Sequence, residues 1–244
     1  MYRGLISLVS FLTILPTRNS TLENTANNMH LFPVVGIFLG VIFGLVGFGL
    51  DYVALDSLII GLILVGVITI VTGLHHIDGL SDFADGMMTS GSAENKRQAM
   101  KDVKTGTAGT LSLLLYLLGM IIVISKLDGI GFIYTLLIAE TLAKFSMVLI
   151  TSLNNSATLG SNTPFVHIMK DRRRVVVAFA ITIIPISLLA ITGDFVGFAA
   201  LASVVILVLI ISYLAKKHLG GLTGDVIGVT NELSRLFAIS VMVL

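Results

Sequence analysis

Apolar residues in this chain gather into long runs separated by short polar connections. Runs of about 20 residues, the length that carries a helix across a hydrocarbon core of roughly 30 Å, fall at 31–50, 57–75, 108–126, 130–150, 174–193, 195–214 and 226–244. The pattern predicts an all-α polytopic membrane protein with about seven transmembrane helices. Ahead of them, Met1 to Pro16 is apolar but is broken by Pro16 and shows no small-residue cleavage signature. It is too short to span comfortably, so a short interfacial or re-entrant helix is expected there. The longest polar connection, about 76–107, is filled by a motif and its flanking helix. The expectation is therefore one integral membrane domain over residues 1–244, without a soluble second domain.

Composition agrees. Of 244 residues, 55% are apolar and 12% charged, whereas soluble domains run near about 25% charged. Mean hydropathy is +1.01. Cysteine and tryptophan are absent, which excludes disulfides and leaves interfacial anchoring to Tyr and Phe. A net charge of +1 with no basic patch interleaved with aromatics leaves no case for nucleic acid. The lipid bilayer is the expected surrounding.

Charge placement sets the expected topology. Arg3, Arg18, Lys96, Arg97, Lys101, Lys104, Lys170, Arg172, Arg173, Arg174, Lys216 and Lys217 lie in alternate connections, and the other connections hold only Lys126. The positive-inside rule then puts the N-terminus and the loops near 76–107, 151–173 and 215–225 in the cytoplasm, with the C-terminus outside the cell membrane.

The chemistry concentrates in one of those loops. In the stretch from His76 to Gly86, Asp78, Asp82 and Asp85 sit at i, i+4 and i+7. At about 100° per residue these fall within roughly 60° of one another on a helix. Three like charges on one stripe repel, and a divalent cation such as Mg²⁺ would turn that repulsion into binding; Mg²⁺ commonly takes one or two carboxylates and completes its shell with water and phosphate. The plainer alternative is a solvated polar loop. His75 and His76 adjoin the carboxylates: on an unbroken helix His75 shares the Asp face, a break near Gly79 would undo that, and either histidine is a candidate base or supporting partner.

Other candidates lie in or beside the spans. Glu140 and Lys144 read either as an intrahelical i, i+4 pair or with Lys144 reaching a phosphate. Asn231, Glu232 and Arg235 place polar groups in the last span, where Glu232 and Arg235 can neutralise one another. Gly220-Gly221-Leu222-Thr223-Gly224-Asp225 reads either as a phosphate-cradling connection into a helix or as a turn with Asp225 as cap. The run Lys170, Arg172, Arg173, Arg174 reads either as a phosphate clamp or as a positive-inside flank. Gly36, Gly40 and Gly44 recur every four residues and predict close helix packing, within the protomer or between protomers.

Several of these stretches together resemble the cobalamin synthase family, also called adenosylcobinamide-GDP ribazoletransferases. The matching segments are Phe11-Leu12-Thr13-Ile14-Leu15-Pro16, Phe32-Pro33-Val34-Val35-Gly36, the HIDGLSDFADG stretch from His76, Met100-Lys101-Asp102 with Gly106-Thr107-Ala108-Gly109, and GGLTGDVIGVTNE from Gly220 to Glu232. The resemblance implies a Mg²⁺-dependent enzyme that joins adenosylcobinamide-GDP to α-ribazole or its 5′-phosphate and releases GMP. It implies metal ligands at Asp78, Asp82 and Asp85, catalysis by Asp82, Asp85 and His76, and substrate contacts at Lys101, Asp102, Lys144, Gly221, Thr223, Asp225, Asn231 and Glu232. Asp102 and Asp225 are the further acids expected on that face, as metal ligand or base. Lys144 departs from the usual arginine, and Arg235 stands where an acidic residue is common. The DxxDG portion at Asp82 to Gly86 also looks like the start of the CDP-alcohol phosphotransferase motif, whose later part is absent. A secondary transporter is the alternative from another class, though it would centre its charges nearer mid-membrane. A complex with other late-pathway enzymes and self-association are left open.

Overall fold

A computed structural model describes residues 2–15 and 21–244. Pro16, Arg18 and the side chain of Arg3, which entered the readings above, lie outside the described residues. Helix α1 (Tyr2–Leu12) is followed by α2 (Leu22–Asn28) and a 3-10 turn at Met29–Leu31 that runs into α3 (Phe32–Tyr52). Then come α4 (Ser57–Thr72), α5 (His75–Met88), α6 (Ala93–Ala99), α7 (Thr107–Ile124), α8 (Gly131–Leu153), α9 (Thr163–Met169), α10 (Arg172–Ile191), α11 (Val196–Leu214), a π-helical turn at Ala215–Leu219 and α12 (Gly224–Met242). The β-structure among the described residues is one isolated parallel bridge, Ser156 to Leu222.

All seven apolar runs are helical, so the all-α polytopic class stands. The count of spans is less simple. Among the described residues, five stretches are long and apolar enough to cross a membrane, rising to six if α4 and α5 are one bent span. α12 is not among them, because Asp225, Glu232 and Arg235 interrupt it. α1, at 11 residues, extends only about 16 Å, which agrees with a short non-spanning helix.

The central element is α8, in which every side chain from Ile138 to Val148 is buried. A helix packed on all sides needs close neighbours, and α3 supplies one through its glycine stripe. A methyl group at Gly36 would lie 2.5 Å from the Glu140 carbonyl oxygen, and one at Gly40 2.5 Å from the Leu137 Cα. One at Gly44 would lie 2.7 Å from the Ile133 Cα. The stripe therefore packs two helices of one protomer, which resolves the alternative left by the sequence. Leu111, Leu114, Leu115, Leu118 and Ile122 on α7 remain exposed, as an outward face toward lipid requires.

The predicted span 57–75 ends early. Gly73 takes φ +72°, a left-handed conformation natural to glycine, and the chain turns by 96° between α4 and α5. The acidic motif is thus a helix lying across the bundle end, and its two bracketing glycines are close-packing positions. Gly79 faces the Asp225 backbone of α12, with a hypothetical Cβ 3.0 Å from its Cα, and Gly86 abuts Met100. The connections expected near 76–107, 151–173 and 215–225 meet at this same end. Leu222 N–H donates to the Asn155 carbonyl at 2.8 Å, and Arg97 donates to the Leu219 carbonyl at 2.5 Å. At the other end, Gly129 N–H donates to Asp51, joining the end of α3 to the start of α8.

Candidate active site

α5 is continuous from His75 to Met88, so Asp78, Asp82 and Asp85 do share one helical stripe. Their surroundings differ. Asp78 occupies the first turn, where the helix dipole favours a carboxylate, and it lines a cavity of approximately 510 Å³. Asp225, in the first turn of α12, lines the same cavity. Asp82 lies behind this edge. Partial burial, then the nearby charges of Asp78, Asp225 and Asp85, push its carboxyl up to about 7. The four carboxylates thus form one electrostatic cluster, and among the described residues none of them is ion-paired within 4 Å to Lys, Arg or His.

Asp85 is held differently. Its Oδ2 accepts from Gly106 N–H at 2.7 Å and its Oδ1 from Gly109 N–H at 2.8 Å. Gly106 is the N-cap residue of α7 and brings no side-chain cap of its own. Asp85 therefore caps α7 from a neighbouring helix, which satisfies donors left open at a helix start. Glycine is required at both positions, since a Cβ at either would stand 2.5 Å from an Asp85 oxygen. Beside the metal-ligand role expected of it with Asp78 and Asp82, Asp85 thus has a helix-capping role that spacing did not predict. Among the described residues no group of three His, Cys, Asp or Glu side chains converges on one metal position.

His75 is exposed, and His76 is buried, with an Nδ1 that finds no hydrogen-bond partner among the described residues. Burial, followed by the positive charges of Lys144 and Arg235, pushes the His76 imidazole down to about 3. A ring held neutral this firmly is a weak proton acceptor, which argues for a hydrogen-bonding role over that of base. Gly228 of α12 presses on the His76 backbone, with a hypothetical Cβ 3.2 Å from its carbonyl oxygen, and fixes α5 against α12.

The remaining expected site residues divide. Thr223 caps α12, its hydroxyl accepting from Val226 N–H at 3.3 Å, so Asp225 is first-turn rather than cap. Gly221 has φ +148° and packs on the Asn155 carbonyl; its N–H donates to Ala215 and that of Leu222 to Asn155. These two amides brace the loop and are not free for phosphate, contrary to the cradle reading at Gly221. Asp102 is exposed and accepts from Lys104 N–H at 3.0 Å. Lys101 is exposed, and its charge acts on Asp225. Lys170 donates to the Asn154 carbonyl at 2.7 Å, and Arg174 bonds the Asn27 carbonyl. The basic run is thus partly consumed in bracing the end of α8 and in tying α10 to α2, while Lys170, Arg172 and Arg173 stay exposed.

Lys144, Asn231 and Glu232 are fully buried, away from the cavity lining, in a network that the sequence reading resolved only in part. Lys144 donates to Asn231 Oδ1 at 2.7 Å and lies 3.7 Å from Glu140; Asn231 donates to Glu232 at 2.7 Å. Arg235 joins Glu140 through Nε at 2.5 Å and also bonds Glu232. Two acids and two bases cancel, and each is hydrogen-bonded, as buried charge requires. Tyr116, which the sequence reading missed, completes this network by donating to Glu232. A lone tyrosine within an otherwise apolar span was the available signal. Also missed were the cavity's second wall, with Phe11, Phe32, Phe165 and Asn162, and the pairing of Gly106 and Gly109 with Asp85.

The family model for cobalamin-5-phosphate synthase matches residues 4–243. Similar proteins include an adenosylcobinamide-GDP ribazoletransferase of Methanocella arvoryzae, 32% identical, with 99% of this chain and 96% of that protein aligned. Another of the same name from Archaeoglobus fulgidus is 29% identical over 99% of this chain and 97% of its own. One from Chlorobium phaeovibrioides is 29% identical over 97% and 95%. No solved structure matches the chain. With a family model aligned from α1 to the end of α12, the chain belongs to the cobalamin-5-phosphate synthase family.

Proposed function

We propose that this protein is an adenosylcobinamide-GDP ribazoletransferase: it transfers the adenosylcobinamide phosphate group to α-ribazole or its 5′-phosphate and releases GMP. The observation that carries the reading, beside family membership, is the cavity edged by Asp78 and Asp225 with Asp82 behind it. An acceptor hydroxyl held at that edge attacks the phosphorus that bears cobinamide. A new P–O bond forms, the P–O bond to GMP breaks, and GMP departs with the bonding electrons. The hydroxyl proton passes to a carboxylate, and Asp225, on the cavity wall, is the group we assign to receive it.

The donor set fits a hard divalent cation. A carboxylate cluster in which Asp78, Asp225 and Asp85 raise the proton affinity of Asp82, with no cationic side chain paired to it among the described residues, is chemistry suited to Mg²⁺. Asp78 and Asp82 would hold the ion, which when bound neutralises phosphate charge during displacement. Asp85 caps α7 and keeps α5 in place. Lys101, exposed and electrostatically coupled to Asp225, is positioned to meet an approaching diphosphate. The positive-inside asymmetry supports a cytoplasmic opening for the cavity.

The test is GMP release by the purified protein reconstituted in lipid, given adenosylcobinamide-GDP, α-ribazole 5′-phosphate and Mg²⁺. Release that needs both substrates is expected. Uptake of substrate into vesicles without GMP release would overturn the enzyme reading in favour of transport.

A further inference from the structure

The cavity beside Asp78 and Asp225 is lined by two chemically different groups of side chains. One is the polar group of His75, His76, Asp78 and Asp225. The other is a cluster of phenyl rings with two thioethers: Phe11 from α1, Phe32 from α3, Phe165 from α9, Met29 from the 3-10 turn and Met147 from α8. Phe11 is the hinge of this wall. Its ring centroid lies 6.0 Å from that of Phe32, at 27° between planes, and 5.5 Å from that of Phe165, at 34°. It is 39% exposed, although its two ring neighbours are buried. A ring left open in this way offers a flat apolar face to whatever enters the cavity.

We infer that the Phe11, Phe32 and Phe165 cluster lining the cavity binds the heterocyclic base of the acceptor, so that the acceptor's ribose comes to lie at Asp78 and Asp225. The inference rests on the ribazoletransferase reading and assigns its two substrates to different places. A planar benzimidazole matches a wall of phenyl and thioether groups, which stack on a ring without demanding hydrogen bonds of it. Size separates the substrates as well. A cavity of approximately 510 Å³ lies within the range of about 300–1,000 Å³ usual for small-molecule sites, which suits a nucleoside phosphate. A corrinoid carrying a guanosine diphosphate arm has several times as many atoms. The donor therefore stays outside and reaches only the carboxylate edge with its diphosphate. Asn162 donates to Ser156 and to the Leu222 carbonyl, and so ties the α9 wall to the loop that precedes Asp225. The aromatic group and the carboxylate group are thereby held in place relative to one another.

Absence of tryptophan makes this measurable, because benzimidazole emission is not masked by indole. α-Ribazole is titrated, without donor, into the full-length protein in lipid, and its fluorescence is followed. GMP release is then measured while each substrate is varied in turn. Phe11→Leu keeps apolar bulk at a half-open site and removes the ring, so it is the first variant. Phe179→Leu, which breaks a ring contact with Phe145 between two residues that do not line the cavity, is the control. The expected result is about tenfold weaker α-ribazole binding and a matching rise in acceptor KM for Phe11→Leu, with donor KM unchanged and the control like wild type. A rise in donor KM with acceptor binding unchanged would overturn the assignment while leaving the transferase reading intact. Wild-type protein that binds α-ribazole in a Phe11-dependent manner yet releases no GMP would uphold the base site and overturn the transferase reading.

Discussion

Asp85 of α5 accepts the backbone N–H of Gly109 at 2.8 Å, joining the acidic helix to the first turn of α7. With the Gly106 N–H on its second oxygen, this carboxylate sets the position of the other two acids of the stripe. Gly109→Ala would press a methyl group against Ser81 Oγ and place it 2.5 Å from Asp85 Oδ2, so the carboxylate that accepts the Gly109 N–H must shift. We expect a loss of about 1–3 kcal/mol of stability from the disrupted, partly buried bond, together with a fall in GMP release. Thermal inactivation in detergent, compared with a Gly66→Ala variant at an open position, reads the first effect.

Asp82→Asn is expected to separate activity from stability. Folding raises the Asp82 carboxyl from 3.8 to about 7, so the folded chain holds this proton more tightly than the unfolded one. As pH rises from about 4 to about 7 the unfolded state loses the proton first, and the fold loses stability by linkage. Asparagine removes that loss. In metal-free buffer above pH 7 the variant should melt at a higher temperature than wild type, with the difference vanishing below pH 4. GMP release should be abolished across the whole range. Equal melting at pH 8 would show that the cluster does not strain the fold.

Glu140→Gln should be among the costliest single changes in the bundle. It leaves Arg235 and Lys144 buried against one remaining carboxylate, Glu232. Breaking a buried charge network in this way costs about 3–5 kcal/mol. Adding Lys144→Met restores charge balance, and part of the loss should return. A double-mutant cycle on thermal stability measures that coupling, and additive losses would refute it.

Gly40→Val should fail to fold, because the obstruction is backbone: the Leu137 Cα and the Leu136 carbonyl of α8 both lie under 3 Å from a Cβ. Gly49, which meets nothing within 4 Å, should tolerate alanine. Monodispersity after extraction in mild detergent distinguishes the two.

Cysteine placed singly at Lys101 should react with a membrane-impermeant thiol reagent only from the cytoplasmic side, and at Asp56 only from outside. The native chain offers no competing thiol. The reverse pattern would invert the proposed orientation.

Local periodicity made much of this legible from residues alone. Seven apolar runs became seven helices, because run length and apolar content act within a segment. The Asp78, Asp82 and Asp85 stripe followed from helical spacing, which needs no partner. Family membership was readable because its motifs are contiguous. Tertiary structure decided which of these groups are available. Whether α4 continues into the motif depended on the left-handed turn at Gly73, fixed by where α5 docks on α12. Asp85 is spent on amides 21 and 24 residues away, and Glu140 on an arginine 95 residues away. Lys144 and Gly221 look available for phosphate in the sequence, yet one is enclosed by α12 and the other braces a loop. Spacing along the chain sets which face a side chain occupies; the helix packed against that face determines whether it meets substrate, lipid or an opposite charge.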